Sequence, residues 1–96
     1  MRVILTRQAS ADLENVLSYI AAQNPVAAAG VAARIDRTLS IVGDFPRAGR
    51  LDQNTGAREW LVSGLPLLVI YTIQSDYVEV IGIFHTSRDP RTKPRA

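Results

Sequence analysis

The stretch LLVIYTIQSDYVEVIGIFH, residues 67–85, decides the fold. Leu67 to Ile73 is apolar at nearly every position, Gln74-Ser75-Asp76 interrupts it, and Tyr77 to Phe84 is a second apolar run. Short, β-branched runs bounded by polar turn residues read as strands. Continuous apolarity, as opposed to strict alternation, implies burial on both faces. The two runs therefore form a hairpin at the centre of a sheet. Gly82 interrupts the second run and marks a bulge or a close backbone approach.

Toward the N-terminus, Ser63-Gly64-Leu65-Pro66 reads as a turn and Arg58 to Val62 as a further strand. Leu51 to Ala57 is a looser loop, and Asp44-Phe45-Pro46-Arg47-Ala48-Gly49-Arg50 a defined turn. Before it the period changes. Ala28, Val31, Ala32, Ile35, Leu39 and Val42 form one helical stripe, leaving Arg34, Arg37 and Thr38 outside it. Gly43 is placed to cap that helix. Gly30, in the segment Ala27-Ala28-Ala29-Gly30, costs roughly 1 kcal/mol against Ala and implies close packing of a second helix. Asn24-Pro25 breaks the two helices apart, Pro suiting a first turn with Asn24 as its cap. The earlier helix carries Ala9, Leu13, Val16, Leu17 and Ile20 on one face. Thr6 caps it, and Asp12 and Glu14 lie early, where the helix dipole favours negative charge. Val3-Ile4-Leu5 is a short first strand.

The fold expected is α+β: an N-terminal strand, a helical hairpin, then a three-stranded antiparallel meander completing one sheet. The hairpin should cover one sheet face of an antiparallel sandwich. Residues 1–90 form the domain. From Thr86 the periodicity is lost, and residues 91–96 read as a basic irregular tail.

With 96 residues there is chain for a single core. The absence of cysteine excludes disulfides, thiolate metal sites and a cysteine nucleophile, and a lone histidine, His85, cannot build a metal site; no metal or cofactor is expected. Leu65 to Ile73, interrupted by Pro66, is too short to span a bilayer. Met1-Arg-Val-Ile-Leu-Thr-Arg lacks a cleavage site for export, so the expected location is cytoplasmic. Net charge is only +2, but ten of the eleven basic residues are Arg, a bias toward phosphate and carboxylate contacts. Two basic segments, Arg47 to Arg58 and His85 to Ala96, point to an acidic partner surface.

Four pieces in order carry a resemblance: Ala11-Asp12-Leu13, Phe45-Pro46-Arg47-Ala48-Gly49-Arg50, Arg58-Glu59-Trp60, and Ile83-Phe84-His85-Thr86-Ser87-Arg88-Asp89-Pro90. Together they resemble the RelE/ParE superfamily of type II toxins. The His-x-x-Arg-Asp-Pro ending and the helix pair broken at Asn-Pro are similar to its ParE branch. That resemblance implies a growth-arresting toxin that poisons DNA gyrase and is neutralised by a cognate ParD-like antitoxin, reaching operator DNA only through it. It implies target contacts at Arg47, Arg50, Arg58, Trp60, His85 and Arg88. An antitoxin helix laid on the hairpin would use Tyr19, Ile20, Val26, Val31 and Leu39. Trp60, on an expected edge strand, is open to three readings: core, antitoxin anchor or gyrase contact.

RelE-like members instead cleave mRNA on the ribosome, which needs a base, an acid and cations around the phosphate. Here only Glu59, His85, Arg58 and Arg88 could serve. The plainer readings are that His85 donates to a backbone carbonyl and Glu59 pairs with a surface Arg. The sequence thus favours a binding poison over a nuclease.

Overall fold

The computed structural model describes residues 1–96. Strand β1 (Arg2–Leu5) leads into helices α1 (Arg7–Gln23) and α2 (Pro25–Asp44), followed by β2 (Arg50–Leu51), β3 (Arg58–Leu61), β4 (Leu67–Ile73) and β5 (Tyr77–His85). The strands form one sheet in the order β1-β5-β4-β3-β2, with the two apolar strands inside it as their composition requires. β2 to β5 pair antiparallel in sequence, but β1 lies parallel to β5, with Val3 opposite Val78. The sheet is therefore mixed. The helical hairpin between β1 and the meander is the crossover that a parallel neighbour needs.

Side-chain caps separate the helices as read. The Thr6 hydroxyl accepts from the Ala9 amide at 3.1 Å and the Asn24 side chain from Ala27 at 3.1 Å. Ala9, Ile35 and Val42 from the helices meet Val69, Tyr71, Val78, Val80 and Ile83 from the sheet in the main core. Trp60 is half-buried against the same core. Its strand is not an edge where it pairs with β2, at Arg58 and Glu59. Thr38 also lies inside at 4% exposure, because its hydroxyl donates to the Arg34 carbonyl at 2.9 Å.

Neither helix glycine has the role expected of it. A Cβ on Gly30 would meet open space, so no close helix contact explains it. Gly43 lies inside α2, not at its end, and a Cβ there would sit 2.8 Å from the Met1 carbonyl oxygen. The Met1 ammonium donates to the Gly43 carbonyl at 2.9 Å, so β1 enters against the bare backbone. Gly30→Ala is expected to stabilise by about 1 kcal/mol, raising Tm by roughly 4–8 °C. Gly43→Ala should give no such gain and lower Tm. Thermal unfolding of the two variants tests the assignment.

The bulge falls beside Gly82. Ile70 pairs with Gly82 but Tyr71 with Val80, leaving Ile81 as the extra residue. Gly82 is also a close approach, since a Cβ would come within 2.6 Å of the Pro94 ring. Both readings of that glycine hold.

A candidate groove between the helices and the end of the central strand

β1 ends at Leu5, opposite Val80, whereas β5 runs on to His85. Beyond Val80 no strand lies on that side of β5, and α1 passes there instead. Asp12 takes the place of a strand carbonyl: one carboxylate oxygen accepts from the Ile83 amide at 3.1 Å. Its other oxygen accepts from the Gln8 side chain, one helical turn earlier, at 2.7 Å.

The space beside this stretch is a groove of about 510 Å³. Its walls are Val16, Tyr19 and Ile20 of α1, Val31 of α2, Leu65 and Pro66 of the turn before β4, and Leu67 at the start of β4. Ile83, His85 and Arg88, with Asp12 and Asn15 of α1, complete its lining. Tyr19 is 70% exposed, an aromatic ring held at the lip with little of it in contact with the protein.

His85 is oriented by the turn that follows it. Its Nδ1 accepts from the Ser87 amide at 3.1 Å and lies 2.6 Å from the Ser87 hydroxyl. The amide can only donate, so the neutral ring carries its proton on Nε2. The imidazole is thus an acceptor from backbone, not the donor to a carbonyl expected from sequence. The Arg88 amide donates to the His85 carbonyl at 3.0 Å, which turns the Arg88 side chain back onto the groove.

The structure divides the sequence-selected residues between places. Tyr19, Ile20, Val31, His85 and Arg88 come together in the groove. Leu39 lies in a separate hollow beside Met1, Val3 and Leu5, and Val26 stands 82% exposed at the start of α2. Arg58 staples the preceding loop, donating to the carbonyls of Arg47 and Gly49 at 3.1 and 2.9 Å. Arg47 itself is exposed.

Glu59 is on the other sheet face from His85. Cross-strand partners share a face: Glu59 pairs with Ile70 of the outer cluster, and His85 with Leu67 of the main core. Both Glu59 oxygens are engaged, one by Arg50 at 2.9 Å and one by Lys93 at 2.6 Å. Glu59, His85, Arg58 and Arg88 therefore do not converge on one phosphate position. The reading of Glu59 as a partner for a surface Arg matches its contact with Arg50, whose side chain is 72% exposed.

Sequence reasoning missed Asp12 as the edge cap and the Lys93 contacts. The signal for Asp12 was the Gln8–Asp12 spacing of one helical turn; the Lys93 contacts left no local signal. Lys93 also reaches Asp52 at 3.3 Å. The Asn54 amide holds the Asp52 carboxyl below its ordinary 3.8, helped by Lys93. Glu59, then Asp52, raise the Lys93 ammonium above its ordinary 10.5. A depressed carboxyl stabilises the fold above its unfolded pKa, and the gain is lost as pH falls through the native value. A raised ammonium stabilises below its unfolded pKa, and the gain is lost as pH rises through the native value. Urea midpoints should therefore fall below about pH 4 and above about pH 10; Lys93→Met should flatten the alkaline limb and leave most of the acid limb, which the Asn54 amide sets.

The chain belongs to the family of ParE toxins of type II toxin–antitoxin systems, parDE, whose model matches residues 3–90. It is 31% identical over 84 residues to Y4kP, named as a candidate toxin of Sinorhizobium fredii, covering 88% of this chain and 86% of the relative. It is 32% identical over 87 residues to toxin RelE2 of Caulobacter vibrioides, covering 91% and 97%. A solved chromosomal ParDE system from P. aeruginosa superposes with a TM-score of 0.81, covering 91% of this chain and 97% of that one. At 18% identity that likeness concerns the fold. No helix is long and apolar enough to cross a membrane.

Proposed function

We propose that this type II toxin arrests growth in the cytoplasm by binding DNA gyrase, and that a cognate ParD-like antitoxin neutralises it by filling the groove beside β5. Membership of the ParE family supports the gyrase target. The observation that carries the neutralisation reading is the meeting of two residue sets in one place. Tyr19, Ile20 and Val31 offer an apolar seat for an amphipathic helix, and His85 and Arg88 line the same groove. An antitoxin helix seated there covers both basic residues and denies them to the target. Operator DNA is reached through the antitoxin alone.

The relative named as a RelE toxin keeps ribosome-dependent mRNA cleavage as the alternative. The separation of Glu59 from His85 by the sheet weighs against it. So does the His85 tautomer: a base at Nε2 would need the proton moved to Nδ1, where the Ser87 amide already points.

The test is incorporation of labelled thymidine and labelled methionine after inducing the chain alone in bacteria. DNA synthesis is expected to stop first, with translation continuing, and Arg88→Glu is expected to remove the arrest while leaving Tm unchanged. Translation stopping first would overturn the gyrase reading in favour of RNA cleavage.

A further inference from the structure

The sheet face away from the helices should be open, since no helix covers it. Yet Ile70 on that face is fully buried, as is Ala57, and Phe84 is only 5% exposed. What covers them is the loop between β2 and β3 together with the chain's last residues. Pro94 lies on Gly82, the Lys93 ammonium is 5.9 Å from the centre of the Phe84 ring, and the Ala96 amide donates to the Thr55 carbonyl at 2.9 Å. The basic tail is therefore laid across the outer face.

Its attachment is of an unusual kind. From the last four residues, a single main-chain hydrogen bond reaches the body of the domain, that of Ala96. The rest is the packing of Pro94 on Gly82 and the ion pairs of Lys93, whose side chain is 12% exposed between Glu59 and Asp52. Those carboxylates are not stranded if it leaves. Glu59 keeps Arg50 at 2.9 Å, and Asp52 keeps the Asn54 amide at 2.9 Å. An ammonium freed from the pair gains full hydration. Local opening needs such a segment, with few backbone bonds to the body and no orphaned charge left behind.

We propose that residues 93–96 are a releasable strap, latched by Lys93 on Glu59 and Asp52, that switches the outer sheet face between a sealed and an open apolar surface. The short helical turn Pro90–Thr92 is the rigid end about which it swings, closed on itself by Asp89, which accepts from Arg91. Opening uncovers Gly82 and the Phe84 ring, which packs in one cluster with Ile70 and is framed by two carboxylates. A competitor for this face must carry a cation beside apolar side chains, as the strap does.

The test is amide hydrogen exchange on the full chain. In the unaltered protein, the Ala96 amide is expected to exchange through an opening nearly independent of urea, while Val80 and the α1 amides open only with global unfolding. Lys93→Met should speed Ala96 exchange by at least about tenfold and raise binding of a dye for apolar surfaces, with α1 unchanged. Lys93→Arg should restore protection. Glu59→Gln, which keeps the side-chain shape, should loosen the same residues. Ala96 exchange unchanged in Lys93→Met would overturn the latch. Opening of Ala96 together with Val80 in the unaltered protein would overturn the release, since the strap would then be an inseparable part of the core.

Discussion

Tyr71→Phe should lower the unfolding free energy by about 2–4 kcal/mol, although it removes a single oxygen. Tyr71 is fully buried, and its hydroxyl donates to the Pro46 carbonyl at 2.7 Å while accepting from the Gly49 amide at 3.1 Å. Burial pushes the phenol above its ordinary 10.0, so it stays neutral and able to donate. Deleting it leaves the buried Gly49 amide and the half-buried Pro46 carbonyl without that partner, each costing its own desolvation. For a domain of this size, Tm should fall by roughly 10–25 °C. Tyr19→Phe, at an exposed ring, is the control and should not move it. A Tyr71→Phe protein with an unchanged Tm would mean that the loop relaxes onto water.

The same contact explains a piece of sequence noted as a family mark. In Phe45-Pro46-Arg47-Ala48-Gly49, the glycine is required because any Cβ would collide with the Tyr71 hydroxyl. The loop is held twice, by Tyr71 from within and by Arg58 from its edge.

The largest effect on neutralisation is expected at Tyr19. Under the proposed neutralisation, Tyr19→Asp takes the exposed aromatic ring from the antitoxin seat and places a charge in the groove, so antitoxin affinity should fall by at least about 30-fold, or 2 kcal/mol. Because the ring is 70% exposed, folding should be unaffected. Titration calorimetry with purified antitoxin gives the affinity. Growth of cells expressing both proteins shows whether neutralisation fails with it. A change of less than threefold would move the antitoxin seat elsewhere, with the hollow around Leu39 the first alternative.

The central strands and both helix starts were legible because their signals are local: apolar runs, a Thr cap and an Asn-Pro break. The direction of β1 was not. Four residues carry no sign of whether their neighbour runs with or against them, and the crossover through the hairpin decides it. Gly30 and Gly43 look alike in a helical pattern, and only the arrival of Met1 separates them. The groove was half legible. Tyr19, Ile20 and Val31 lie on helices whose periodicity is plain, whereas His85 and Arg88 join them only because β1 stops at Leu5. The Lys93 pairings reach 34 and 41 residues back along the chain, beyond any local pattern, so they could not be read in advance.

The parallel pairing of β1 with β5 also bears on the order of folding events. The helical hairpin and the meander from β3 to β5 join segments close in sequence, so each closes only short loops. Joining Val3 to Val78 must close nearly the whole chain, and its entropic cost is met late. The first strand is then the last piece set into an otherwise assembled body. Weakening it, as with Val3→Ala, should speed unfolding far more than it slows refolding, so this toxin's lifetime would be governed from its first five residues.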